Sequence, residues 1–74
     1  MEEQRYAVFL FPSVSYALKA EKILKASGIA HKLIPVPRHI SSDCGVCVRI
    51  TEDKQQDVEG ELIGKVEWDK VLLL

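Results

Sequence analysis

Residues 33–50 read LIPVPRHISSDCGVCVRI, in which a polar turn joins two different kinds of strand. The first strand contains Pro35 and is followed by Pro37. Because proline has no backbone N–H to donate to a ladder, this strand is predicted at the edge of a sheet. The second strand alternates in polarity, and the side chains that share one of its faces are all apolar: Val46, Val48 and Ile50.

The segment before this stretch predicts a buried strand and a helix. Tyr6–Phe11 (YAVFLF) is a continuous apolar run, which is typical of a strand buried on both faces. A helix is predicted to begin after Ser13 or Ser15 and to end at Gly28. Its apolar stripe is expected to consist of Val14, Ala17, Leu18, Ile23 and Leu24.

The remaining segments predict a second strand over Ala30–Val36, a short helix that begins with a capping box of Asp53 and Gln56, and a last strand within Lys65–Leu74. The resulting order, βαββαβ, is that of a ferredoxin-like α+β sandwich. This fold has an antiparallel four-stranded sheet with two helices on one face, and its first and third strands are central. Residues 1–74 are expected to form one such domain.

The second face of that sheet would be bare. Both sets of alternating side chains on the first strand are nevertheless apolar: Ala7, Phe9, Phe11 and Tyr6, Val8, Leu10. An exposed apolar face of this kind is expected to be covered by a partner, so we expect a homodimer through the open sheet face. Phe9 and Phe11 are expected to lie either in the core or in that interface.

Composition argues against several classes of partner. The net charge of -1 gives no long-range field to attract nucleic acid, and no apolar run approaches the roughly 20 residues needed to cross a membrane. Two cysteines are too few for the disulfide framework of a small secreted domain. We therefore expect a cytoplasmic protein with reduced thiols.

Cys44 is the main candidate for chemistry. It lies between a polar turn and a strand and precedes Gly45, which lets a ligand or another backbone come close. Arg38 and His39 are expected to lower the pKa of its thiol from the ordinary value of about 8.5, whereas Asp43 acts in the opposite direction. The alternative is that Cys44 is a small buried apolar residue, the usual role of cysteine outside functional sites.

Cys44 and Cys47 have the spacing of a CxxC motif, but two arguments count against a dithiol or a metal site. Residues three apart on a strand face opposite sides with Cα atoms about 10 Å apart, beyond the roughly 7 Å limit for a disulfide. Only a turn that includes Cys44 and Gly45 would bring the pair together. A four-ligand zinc site would need both His31 and His39, and His31 is expected on the surface. No metal or cofactor is predicted.

The segments ALKAEKILKASGI (residues 17–29) and LIPVPRHISSDCG (residues 33–45) together resemble the selenium/sulphur carrier-like proteins, a family of small domains found mainly in bacteria. The likeness runs from about Tyr6 to about Ile63. It implies a carrier rather than a turnover enzyme, which holds sulfur or selenium on Cys44 as a persulfide or selenopersulfide. Its partners would be donor and acceptor proteins, for example a cysteine desulfurase.

In such a carrier the neighbouring residues take supporting roles. Arg38 and His39 would support the thiolate, Ser41 and Ser42 would shape the turn, Gly45 would clear space for the transferred atom, and Arg49 would meet an anionic partner or substrate. Two other functions stay open. One is a small dimeric regulatory or interaction module in which Cys44 is structural, and the other is a redox protein that uses both cysteines.

Overall fold

The computed structural model describes residues 5–40 and 45–74 and confirms the predicted order of strands and helices. The elements are β1 (Tyr6–Leu10), α1 (Val14–Ser27), β2 (Lys32–Pro35), β3 (Val46–Thr51), a 3-10 turn (Glu52–Lys54), α2 (Gln55–Leu62) and β4 (Lys70–Leu73). The strands form one antiparallel sheet in the order β2-β3-β1-β4. This is the ferredoxin-like α+β arrangement, with β1 and β3 central as predicted. Within the described residues no helix is long and apolar enough to span a membrane.

The prolines of β2 lie on the outer edge of the sheet, as the sequence predicted. Pro35 stands opposite Val46, and the Val36 N–H donates to the Gly45 carbonyl at 3.2 Å. Alternate residues of an antiparallel strand direct their backbone groups toward the same neighbour. Since Val36 bonds to the β3 side, Pro35 and Pro37 direct their backbone nitrogens away from it. The ladder therefore loses no hydrogen bond to either proline.

The larger core lies between the two helices and one face of the sheet. Phe9 and Phe11 are fully buried there, and the rings of Phe9 and Trp68 make a T-shaped contact with their centroids 5.5 Å apart. The other buried residues of this core are Ala7, Ala17, Ala20, Leu24, Val48, Ile50, Val58, Leu62 and Val66. Phe9 and Phe11 thus lie in the core, one of the two places predicted for them, and are not contacts on an open face.

Helix α1 ends as predicted, and its predicted apolar stripe is confirmed for Ala17, Ile23 and Leu24 but wrong for Val14 and Leu18. Gly28 adopts the left-handed conformation with φ 74°, and the following Ile29 N–H donates to the Leu24 carbonyl at 3.1 Å. The buried residues are Ala17, Ala20 and Leu24, whereas Val14 and Leu18 are 46% and 44% exposed. Each residue turns a helix by about 100°, which carries Leu18 away from the side that holds Ala17. Small residues at the contact let α1 lie close to the sheet.

Three boundaries differ from the sequence prediction. The capping box is wrong, because a 3-10 turn leads directly into α2 and leaves Lys54 at the cap position without a side-chain hydrogen bond. Strand β2 begins at Lys32 rather than Ala30. Strand β4 occupies only the last part of the predicted segment Lys65–Leu74, and Val66 and Trp68 pack into the core from the connection that precedes it.

The second face of the sheet is covered by the protein's own chain. Val8, Leu10 and Cys47 are at most 1% exposed on this face. The side chains packed against them are those of Ile34, Val36, Ile40 and Leu72, and two of these follow β2. The segment after β2 therefore folds back over the sheet. The expectation of a bare face was wrong, and with it the reason for a dimer through that face.

His31 is not the surface residue that the sequence predicted, since its side chain is only 10% exposed. Its Nδ1 lies 2.7 Å from the Ile29 carbonyl, which can only accept, so Nδ1 donates. Its Nε2 lies 3.4 Å from Oε2 of Glu21. His31 thus links the start of β2 to helix α1.

The two leucines of α1 provide a test of this packing. Leu24→Ala should lower the free energy of unfolding by about 2–5 kcal/mol or abolish folding, because it leaves a cavity in the core. Leu18→Ala, on the exposed side of the same helix, should change it by about 0.5 kcal/mol or less. Urea unfolding followed by circular dichroism measures both. Equal losses would contradict the stripe described above.

Candidate functional site

The β2–β3 connection forms a loop at one end of the sheet, and main-chain atoms close its neck. The Val36 N–H donates to the Gly45 carbonyl at 3.2 Å, and β3 begins at the next residue, Val46. Gly45 is exposed. Among the described residues nothing lies within 4 Å of the position where a Gly45 side chain would start. The sheet therefore holds both ends of this loop in a fixed position.

A tight turn after β2 presents two of the predicted site residues to solvent. The Ile40 N–H donates to the Pro37 carbonyl at 3.0 Å, so Arg38 and His39 occupy the middle of a β-turn. Both side chains are exposed, while Ile40 packs against the apolar cluster on the second sheet face. Ile40 thereby anchors the turn, and the two basic residues point out at the loop end of the sheet.

Three predicted site residues, Ser41, Ser42 and Cys44, lie outside the described residues. Their supporting roles stay predictions from the sequence. What the structure describes is the frame on either side of them, which ends at Ile40 and resumes at Gly45.

Lys70 is a residue at this end of the sheet that the sequence analysis missed. Leu10 of β1 stands opposite Cys47 of β3 on one side and opposite Lys70 of β4 on the other. A groove of ≈ 330 Å³ runs between the turn and β4, lined by His39, Ile40, Lys70, Leu72 and Leu73. Lys70 and His39 thus share one recess beside the loop. Only the register between β1 and β4 places Lys70 here, and that register could not be predicted from the sequence.

Arg49 does not join this group. It is four residues beyond Gly45 on β3, roughly 13 Å away at the usual rise of a strand. Its guanidinium carbon lies 4.3 Å from the centre of the Tyr6 ring, an arrangement in which the ring face attracts the cation. Lys32 stands directly opposite on β2. Arg49 therefore belongs to a separate cationic area at the far end of the second sheet face.

Cys47 is fully buried in the cluster of the second face, between Val8 and Leu10 of β1 and the partly buried Ile34 of β2. As predicted, it shares the face opposite to Val46, Val48 and Ile50. A small apolar side chain fits this position. The burial agrees with a packing role for Cys47 rather than with a surface-accessible dithiol.

The two histidines lie on opposite sides of β2 along the chain. His31 precedes the strand and is held by Ile29 and Glu21, whereas His39 follows it in the exposed turn. Over residues 5–40 and 45–74, no group of three or more histidine, cysteine or acidic side chains is placed to hold a metal ion.

The fold and loop define a small α+β domain, and comparison with known proteins assigns it to a family. The profile of the family described as "Putative Se/S carrier protein-like" matches residues 6–71, so the chain belongs to that family. It is also 27% identical over 60 residues to "Uncharacterized protein YtiA" of Escherichia coli (strain K12), a match that covers 81% of this chain and 71% of that protein. No solved structure matches the chain.

Substitution of Cys47 tests its packing role. Cys47→Ser buries a hydroxyl in an apolar cluster and should lower the free energy of unfolding by about 1–3 kcal/mol. Cys47→Ala keeps the site apolar and should cost less than the serine variant. Chemical unfolding of the two variants makes the comparison. A serine variant as stable as the wild type would show that the side chain is not packed as described.

Proposed function

We propose that this protein is a sulfur or selenium carrier that holds the transferred atom on Cys44 and passes it between proteins by thiol exchange. Family membership supports the general class of selenium/sulphur carrier-like protein. The observation that carries the proposal for this site is the loop frame: an exposed Gly45 at a closed neck, with basic side chains gathered at the same end of the sheet. Cys44 directly precedes Gly45 in the sequence.

The chemistry requires one nucleophilic thiolate. The Cys44 thiolate attacks the outer sulfur of a donor persulfide, R–S–SH. The new S–S bond forms on Cys44 as the bond between the two donor sulfurs breaks, and the donor leaves as the thiolate R–S⁻. A nucleophile of the acceptor then attacks the same outer sulfur and releases the Cys44 thiolate. No oxidant, metal or second cysteine is consumed, and selenium follows the same steps.

The charge at this end of the sheet favours both steps. Arg38 in the turn and Lys70 in the groove beside His39 place positive charge near the loop, whereas the whole chain, with its histidines neutral, carries a net charge of -1. Positive charge stabilises the Cys44 thiolate over its thiol, which helps it both as the attacking group in the first step and as the leaving group in the second. Ser41 and Ser42 are proposed to shape the turn, and Gly45 leaves room for the transferred atom. Arg49, at the far end, is proposed to meet an anionic surface of a partner.

The proposed partners are a donor such as a cysteine desulfurase and an acceptor protein. Exchange of this kind requires that thiols stay reduced, so we place it in the cytoplasm. Dimer formation is not needed for any step, because one thiolate suffices.

The central prediction concerns Cys44. Incubation with a cysteine desulfurase and cysteine should add the mass of one sulfur atom to the protein, and peptide mapping after alkylation should locate it on Cys44. Cys44→Ser should lose this gain completely. Intact-mass spectrometry measures the change. Cys47→Ala is the matched control and should still take up sulfur, because the buried thiol takes no part.

The opposite results separate the alternatives. Loss of uptake in both variants would favour a dithiol redox protein. A Cys44 that stays unmodified and alkylates only after unfolding would overturn the carrier proposal and leave a structural cysteine in an interaction module.

Lys70 tests the electrostatic part of the proposal. Lys70→Glu should lower the second-order rate constant of sulfur uptake by about two- to tenfold at low ionic strength, and added salt should reduce the difference. Lys65→Glu makes the same charge change in the exposed connection before β4 and should have little effect. Single-turnover transfer from a persulfide-loaded desulfurase gives the rates. Equal effects of both variants would contradict a local role for Lys70.

A further inference from the structure

We infer that strand β4 is an interface at which two copies of this chain join edge to edge. The sheet order leaves β2 and β4 as its two edges. An edge strand carries unpaired N–H and C=O groups, which are a template for another strand unless something blocks them. The two edges of this sheet differ in that respect, and the difference points to β4.

The β2 edge is blocked. Pro35 and Pro37 direct their backbone nitrogens outward and have no N–H to offer to an incoming strand. A strand added at this edge would receive no hydrogen bond from Pro35 or Pro37, which occupy successive outward positions.

On the β4 edge no strand of the described part of the chain pairs with the outer side. Leu74, just beyond the strand, donates its N–H to the Tyr6 carbonyl at 2.9 Å, so its backbone faces β1. By the two-residue alternation Leu72 also faces β1, while Val71 and Leu73 direct their N–H and C=O groups outward. No proline interrupts residues 70–74, and Leu73 and Leu74 are 58% and 49% exposed. Apolar side chains thus flank outward backbone groups that no other residue within 5–40 and 45–74 pairs with.

A second copy fits this edge in one antiparallel register. With the two-fold axis at Leu72, Val71 of one copy stands opposite Leu73 of the other, and these are the residues with outward backbone groups. About four backbone hydrogen bonds would form between the copies. Each Lys70 would face Leu74 of the other copy, so the two lysines do not meet. The pairing is self-complementary, and the blocked β2 edges stop it at a dimer instead of a fibre.

The same register would bring the second copy to the carrier loop. The groove lined by His39, Ile40, Lys70, Leu72 and Leu73 opens beside β4. Leu74 of the second copy, opposite Lys70, would lie at the mouth of this groove. Each copy would then complete one wall of the recess beside the other copy's loop. The pairing rests on the backbone of β4 and not on the thiol chemistry.

Sedimentation equilibrium over a concentration series from micromolar to millimolar tests this inference. The wild type should show a species of twice the 8.3 kDa chain mass. Leu73→Pro removes one outward N–H without touching the ladder to β1, as the prolines of β2 do, and should weaken the dimer about tenfold or more. Leu73→Lys should also weaken the dimer. It tests the same edge in case the proline variant does not fold.

Two controls isolate the edge. Ile63→Lys alters an apolar side chain that is 70% exposed in the connection after α2, and it should leave the dimer intact. Cys44→Ser should also leave it intact, so failure of the carrier chemistry would not affect this result. A monomeric wild type throughout the series, or a dimer that both Leu73 variants retain while folded, would overturn the inference.

Discussion

Burial of β1 on both faces is the constraint on which the rest of this structure depends. The side chains of residues 7–10 alternate between the helix core and the second-face cluster and are at most 1% exposed. A slip of one residue would exchange the two sets and send Phe9 to the wrong side, so the register with both neighbours is strongly specified. That register aligns Leu10 with Cys47 and Lys70. The start of β3 and the start of β4 therefore lie at the same end of the sheet.

The basic residues of the sheet fall into two areas with different surroundings. At the loop end, His39 and Lys70 border an open groove next to a connection whose ends are fixed. At the other end, Arg49 lies over Tyr6 and opposite Lys32, where the aromatic face offsets part of the cost of placing like charges side by side. With a net charge of -1, neither area creates a field over the whole molecule. Their influence is local, within about a Debye length of 8–10 Å.

The sequence allowed the fold to be predicted where local chemistry decides it. Pro35 marked an edge strand, the apolar run of β1 marked a central one, and Gly28 marked the end of α1. The prediction failed where tertiary packing decides. The apolar pattern of α1 predicts Leu18 in the core, and only the position of the helix over the sheet shows that it is exposed. No pattern in the sequence predicted that Ile40 helps to cover the second face. The same holds for the candidate site. Arg38 and His39 could be predicted because they are close to Cys44 in the sequence, whereas Lys70 could be placed there only once the strand register was known.

The neck of the loop has a consequence for how this family can diversify. Its closing hydrogen bond joins the main-chain atoms of Val36 and Gly45, and any residue with an N–H can replace Val36 in that bond. The bond that closes the neck thus does not depend on which side chains Val36 and its neighbours carry, so natural selection can change exposed side chains such as Arg38 and His39 while the pairing of β2 with β3 stays constant.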